Sequence, residues 1–238
     1  MDSNDIMQWM YSVYCILLAQ HAMDLYYTPG SAPCRVVLLV AAALDIQLNL
    51  KELNLQAGEH MTTEFLKLNP QHTVPTLVDD GFALWESRTI GRYLIRKYNN
   101  KELYPEDIKI RALIDQRLDF DLGTLYPRFG SFFYPQIFAG QPADENLFKR
   151  LEESLDFFNS FLKGHKYAVG DTLTLADLSL VATVSTIEAA GVSLDSYPRV
   201  ERWFELVKST APGYEQANEK GLKKFKGLVA NVKAKTEL

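Results

Sequence analysis

Cysteine, histidine and long apolar runs are all scarce in this 238-residue chain. Two cysteines, Cys15 and Cys34, cannot build a disulfide framework, and they suit a reducing compartment, so a cytoplasmic location is expected. The four histidines (His21, His60, His72, His165) are scattered without the spacing of a zinc site. No carboxylate cluster marks a hard-cation site either, so no metal is expected. Net charge is only -5, and the basic residues crowd near the end, in Lys220, Lys223, Lys224, Lys226, Lys233 and Lys235. Interleaved with apolar residues, they read as a solvated helix face rather than a polyanion site, and no nucleic-acid partner is expected. The stretch Met7 to Ala19 is mostly apolar but broken by Gln8 and Ser12, and it is too short to span a bilayer. A secretory signal needs a positive start, yet Asp2 and Asp5 precede this stretch. Residues 1–22 therefore read as an N-terminal extension, poorly ordered, ahead of a second start at Met23, with no membrane partner.

What is present is ordinary globular composition: 47% hydrophobic, 23% charged and 12% aromatic, enough for one large domain or two smaller ones. From Asp24 the local signals sharpen. Asp24–Tyr27 reads as a buried strand, and Thr28-Pro29-Gly30-Ser31 as a loop ending on a helix cap, with Pro33 in the first helical turn. Cys34 to Leu44 is apolar nearly all round, apart from Arg35, and so predicts a deeply buried helix. Leu48–Leu53 alternates as a strand, Thr63–Leu68 reads as a short helix, and Thr76 to Leu84 as a hairpin turning at Asp80-Gly81. Ser87 is placed as the cap of a helix running to about Tyr98. The order β-α-β-α-β-β-α over residues 23–102 is that of a thioredoxin-like domain, with a parallel pair from the βαβ unit and an antiparallel hairpin.

After the linker Asn99–Asp107 the strand signals nearly vanish. Helical periodicity covers Ile108 to about Phe138, Ala143–Lys163, Leu175–Ala190, Arg199–Lys208 and Gly221–Lys233. Residues 108–238 thus form an all-α bundle, and the fold class is α+β.

Three segments can carry chemistry. In Tyr-Tyr-Thr-Pro-Gly-Ser-Ala-Pro-Cys-Arg (26–35), Ser31 opens a helix, where free N–H groups and the macrodipole stabilise an anion such as a thiolate. With serine in the first position, Cys34 has no partner there for a two-cysteine redox cycle. Ser31 read alone is a plain N-cap, and Cys34 a buried, inert thiol. In the second segment, Asn69 to Thr76, His72 can donate to a carboxylate, and Val74-Pro75 precedes a strand. In the third, Glu86, Ser87 and Arg88 meet a helix start, a setting for both the ammonium and the carboxylate of an amino acid. A capped helix with one surface ion pair is the plainer reading. Thr174-Leu175-Ala176-Asp177 reads as a capping box, with Asp177 structural. The aromatic run from Tyr126 to Phe138 exceeds one core stripe and suits an apolar pocket.

With these motifs, and with Ala57-Gly58-Glu59-His60 and Phe-Ala-Leu-Trp-Glu-Ser-Arg (82–88), the chain resembles the insect delta-class cytosolic glutathione transferases over about residues 23–230. The resemblance implies glutathione as co-substrate, Ser31 as the hydroxyl that hydrogen-bonds its sulfur, and conjugation to hydrophobic electrophiles for detoxification. Dehydrochlorinase and peroxidase side activities stay open. It implies that His60 and His72 contact the glycine carboxylate, that Val74, ahead of a cis Pro75, pairs with the cysteinyl unit, and that Glu86, Ser87 and Arg88 hold the γ-glutamyl end. Pro33, Tyr126, Phe129, Tyr134, Ile137 and Phe138 would line the hydrophobic pocket, and the protein would be a homodimer. Thr28, where an apolar residue is common, and Pro127 depart from the pattern, and residues 1–22 have no counterpart in it. A non-catalytic binder and a Cys34 thiol transferase are the competing readings.

Overall fold

The computed structural model describes residues 23–236, so the extension 1–22 lies outside the described residues. Strand β1 (Asp24–Tyr27) leads through the Thr28–Ser31 loop into α1 (Ala32–Ala43). Strand β2 (Asn49–Glu52) lies parallel to β1, β3 (Thr76–Asp79) antiparallel to its other side, and β4 (Phe82–Trp85) antiparallel to β3, giving the order β2-β1-β3-β4. The hairpin closes through Asp80 and Gly81, both at positive φ (49° and 80°), as a two-residue turn matched to strand twist demands. A 3-10 turn (Glu59–Met61), α2 (Thr63–Leu68) and α3 (Ser87–Lys97) complete this part. Leu25 and Leu77 sit opposite each other in register, fully buried, so the centre of the sheet is the floor of the core.

Helix α1 is buried on nearly every side because α3 covers one face and α7 (Leu175–Ala189) another. The α7 helix is itself buried from Leu175 to Ile187. Around it stand α4 (Ile108–Phe120), α5 (Tyr126–Ala139), α6 (Glu145–Phe161), α8 (Pro198–Thr210) and α9 (Lys220–Thr236). Asp177 completes the capping box of α7 and is wholly buried. It accepts from the backbone N–H of Ala168 (2.7 Å) and Thr174 (2.9 Å), the Thr174 hydroxyl (3.0 Å) and the Trp203 indole (2.8 Å). Burial pushes its carboxyl upward and these bonds pull it back, the balance of a structural carboxylate.

Arg35 is the exception on α1, and the fold explains it. Its fully buried guanidinium reaches across the seam to the Ser185 hydroxyl (3.1 Å), the Ala182 carbonyl (3.3 Å), Thr186 Oγ1 and Asn218 Oδ1. Burial lowers its pKa to about 10, so it stays charged at neutral pH, held by neutral acceptors.

One expected helix is not uniform. Residues 108–139 are two α-helices joined by a π turn at Asp121–Leu125, where the Tyr126 N–H reaches back five residues to the Asp121 carbonyl. Pro127 has no N–H for the carbonyl four residues earlier and would press on it, and the wider turn relieves that conflict. A second π turn, Glu215–Glu219, runs directly into α9.

Candidate active site

The β1–α1 corner places Ser31 on the wall of a cleft of about 700 Å³ between the two domains. Ser31 is the N-cap of α1 in extended backbone (φ -73°, ψ 123°), and its Oγ accepts weakly from the Cys34 N–H at 3.4 Å. The hydroxyl stands at the positive end of a twelve-residue helix and on the cleft wall. Cys34 is fully buried, and burial pushes its thiol up to about 11, a protonated and inaccessible sulfur at neutral pH.

The far wall is α5 and α9. Tyr126 and Tyr134, two turns apart, hydroxyl to hydroxyl at 2.8 Å, line the cleft with Phe138 at its mouth. Burial raises both phenols, Tyr126 well above the ordinary range, so both are neutral hydrogen-bonding groups. Three expected wall residues lie elsewhere. Phe129 is fully buried behind the wall, stacked on Phe133 (5.1 Å) and edge-on to Tyr134 (5.8 Å). Ile137 faces a separate cavity with Phe132, Gln136 and Phe148. Pro33 is half-buried and outside the cleft lining. Periodicity places aromatics on a helix but not the direction in which each face looks. Sequence reasoning missed Lys224, Phe225 and Leu228, which reach the cleft from α9. Their spacing from Gly221 was the available signal. A β-carbon there would lie 2.2 Å from the Pro29 carbonyl oxygen, so only glycine lets α9 seat against the β1–α1 loop.

The other expected residues lie on the loop after β2, on the loop that leads into β3 and at the start of α3. The His60 and His72 rings are 6.1 Å apart, and His60 Nδ1 is buried without a partner among the described residues. Val74-Pro75 is a cis peptide bond. Asn69, fully buried, anchors this loop by donating to the Thr73 carbonyl (3.0 Å), Thr73 Oγ1 (3.1 Å) and Thr76 Oγ1 (2.9 Å), while accepting from the Gln71 N–H (2.9 Å).

At the third segment the cap is Glu86, not Ser87. Glu86 stands at φ 70° with no side-chain cap bond, a conformation that costs a non-glycine residue about 1–3 kcal/mol and leaves its carboxylate exposed. Ser87 begins α3 and accepts from Arg88 Nη1 at 3.0 Å. Arg88 is not a surface cation. Its guanidinium is buried against Asp121 (2.5 Å), whose same oxygen accepts from the Ser179 hydroxyl at 2.6 Å. Arg88 therefore positions the α3 start from behind. Asp121 comes from the distant π turn and carries no local signal.

A thioredoxin-like domain and a helical bundle border the cleft, and a capping hydroxyl stands on its wall. Family models for the N-terminal domain and the C-terminal domain of glutathione S-transferase match residues 25–102 and 113–210, and the chain belongs to that family. It is 51% identical to a delta-class glutathione transferase of Nilaparvata lugens, over 88% of this chain and 99% of that one (TM-score 0.87). It is 42% identical to the glutathione transferase BmGSTD1 of Bombyx mori, over 87% and 97% (TM-score 0.84). A Drosophila mojavensis glutathione transferase homologue, solved with bound glutathione, is 32% identical over 90% and 98% (TM-score 0.84). The protein is a glutathione transferase, with glutathione as its co-substrate.

Proposed function

We propose that Ser31 activates the thiol of glutathione for attack on a hydrophobic electrophile in the cleft. The observation that carries this reading is the Ser31 hydroxyl at the α1 N-terminus, on the wall of a cleft that also holds Tyr126, Tyr134 and Phe138. A thiol with a pKa of about 8.5 is mostly protonated at neutral pH. The hydroxyl and the helix end favour its anion, and Ser31 need not take the proton itself. The thiolate forms the new S–C bond while the leaving group departs with its electron pair, or while an activated double bond takes up a proton.

In this reading Glu86 pairs with the ammonium of the γ-glutamyl end and Ser87 with its carboxylate, while His60 and His72 take the glycine carboxylate. Val74 and Pro75 present the backbone beside the cysteinyl unit. Arg88 acts through Ser87 rather than by touching the ligand. The burial of Cys34 speaks against a thiol-transferase reading. A homodimer is supported by the exposed apolar side chains of Ile108, Ile110, Leu113 and Leu122 on α4 and the turn after it. The cytoplasm is the proposed location, and among the described residues no helix is long and apolar enough to cross a membrane.

The test is Ser31→Ala with a chloronitrobenzene substrate. Loss of one donor to the developing anion lowers kcat by roughly 100-fold, moves the apparent thiol pKa upward in the pH–rate profile, and shifts the KM for glutathione much less. Equal losses in turnover and glutathione binding overturn the role.

A further inference from the structure

A separate cavity of about 560 Å³ lies off the ends of α5 and α7, and no residue lines both it and the cleft that holds Ser31. Its body is apolar: Phe132, Phe133, Ile137, Phe148 and Val192, with the Phe132 and Phe148 rings 5.0 Å apart. No lysine, arginine, histidine, aspartate or glutamate lines it. Two helix C-termini meet there, since Gly140, the C-cap of α5, and Ala190, the C-cap of α7, are both on its wall. Neither helix has a basic residue in its last turn, and that of α7 carries Glu188. At the end of α5 the Ile137, Phe138 and Ala139 carbonyls accept no hydrogen bond among the described residues. Each helix end bears about half a negative charge. Gln136 adds an acceptor: its Nε2 donates to the Phe132 carbonyl (2.6 Å), while its Oε1 takes no bond from the described residues.

We propose that this cavity binds a small organic cation, a quaternary ammonium or protonated amine that carries an aromatic or branched hydrocarbon body. The body leaves water against Phe132, Phe133, Ile137 and Val192. The charged head is attracted by the negative poles of the phenylalanine rings and by the two helix ends, and no lysine or arginine on the lining competes for them. An anion would meet the same poles with the opposite sign. The site is additional to the glutathione site and does not depend on the role assigned to Ser31.

The experiment is titration calorimetry of the full chain with benzyltriethylammonium, with the neutral benzyl tert-butyl ether and with the phenylbutyrate anion. The cation binds about tenfold more tightly than the ether, and phenylbutyrate more weakly than either. Saturating the cleft with S-hexylglutathione leaves the affinity for the cation within about twofold, because the two cavities share no lining residue. Gln141→Lys puts a positive charge on the exposed rim, so it weakens the cation about fivefold and leaves the ether within about twofold. Phe132→Leu keeps an apolar side chain but removes one ring, and it lowers the cation-to-ether affinity ratio about threefold. The proposal is overturned if none of the three probes binds, if the ether or phenylbutyrate matches the cation, or if S-hexylglutathione displaces the cation. Unchanged affinity for the cation in Gln141→Lys overturns its placement in this cavity, and an unchanged ratio in Phe132→Leu overturns the part given to the rings.

Discussion

Gly221→Ala is the perturbation whose outcome the structure decides most sharply, because two effects of known size oppose each other. In an exposed helix interior the change gains about 1 kcal/mol from backbone entropy. At this position the new methyl would lie 2.2 Å from the Pro29 carbonyl oxygen and 2.8 Å from Arg35 Cδ. That is about 1 Å too close for unbonded atoms, and the blocking atom is backbone, set by the Ser31 N–H that bonds the Thr28 carbonyl (3.2 Å) and by the cap of α1. Overpacking of this kind costs about 3 kcal/mol, so the net loss is about 2 kcal/mol. For a chain of this size that lowers Tm by about 4–8 °C. Lys224, Phe225 and Leu228 follow Gly221 at helical spacing and line the cleft, so lifting α9 raises the KM for the electrophile severalfold and that for glutathione much less. Gly227 is the matched control. It lies on the same helix with open space within 4 Å of where a methyl would sit, so Gly227→Ala should stabilise by about 1 kcal/mol and leave kinetics alone. Thermal melts and steady-state kinetics on both variants read the answer. If Gly221→Ala melts higher than the parent and keeps its electrophile KM, the described seating of α9 is wrong.

Two further outcomes follow from buried groups. Asp121→Ala leaves the Arg88 guanidinium buried without its carboxylate, so stability falls by about 3–5 kcal/mol. Loss of the anchor behind Ser87 raises the glutathione KM more than the electrophile KM, and a Tm within about 2 °C of the parent would sink this account. Cys34 carries a pH signature: its thiol is raised by burial from 9.0 to about 11. Above pH 9 the unfolded chain releases this proton first, so stability declines as pH rises toward 11, by up to about 2–3 kcal/mol. Cys34→Ala abolishes that part of the slope. Parallel urea-stability curves for the two from about pH 8 to 10.5 would contradict it.

The local elements were legible because their signals are local. Alternation and the Asp80-Gly81 turn marked the strands, the nearly uniform apolar run after Ser31 marked a buried helix, and Thr174 with Asp177 marked a cap that the structure reproduces bond for bond. The motifs around Ser31, Val74 and Glu86 were equally local, and they mark the segments on which the proposed chemistry rests. Tertiary structure alone decided which side of α5 meets the cleft, sending Phe129 into the core and Ile137 to another cavity, because a helix rich in aromatics on every face has no preferred direction until neighbours pack against it. It alone paired Arg88 with Asp121 and Arg35 with Ser185 and Asn218, partners 33, 150 and 183 residues away. Residues that far apart meet only when helices cross, and the free energy that selects the crossing, burial of apolar surface without orphaned polar groups, belongs to the assembled core rather than to any segment.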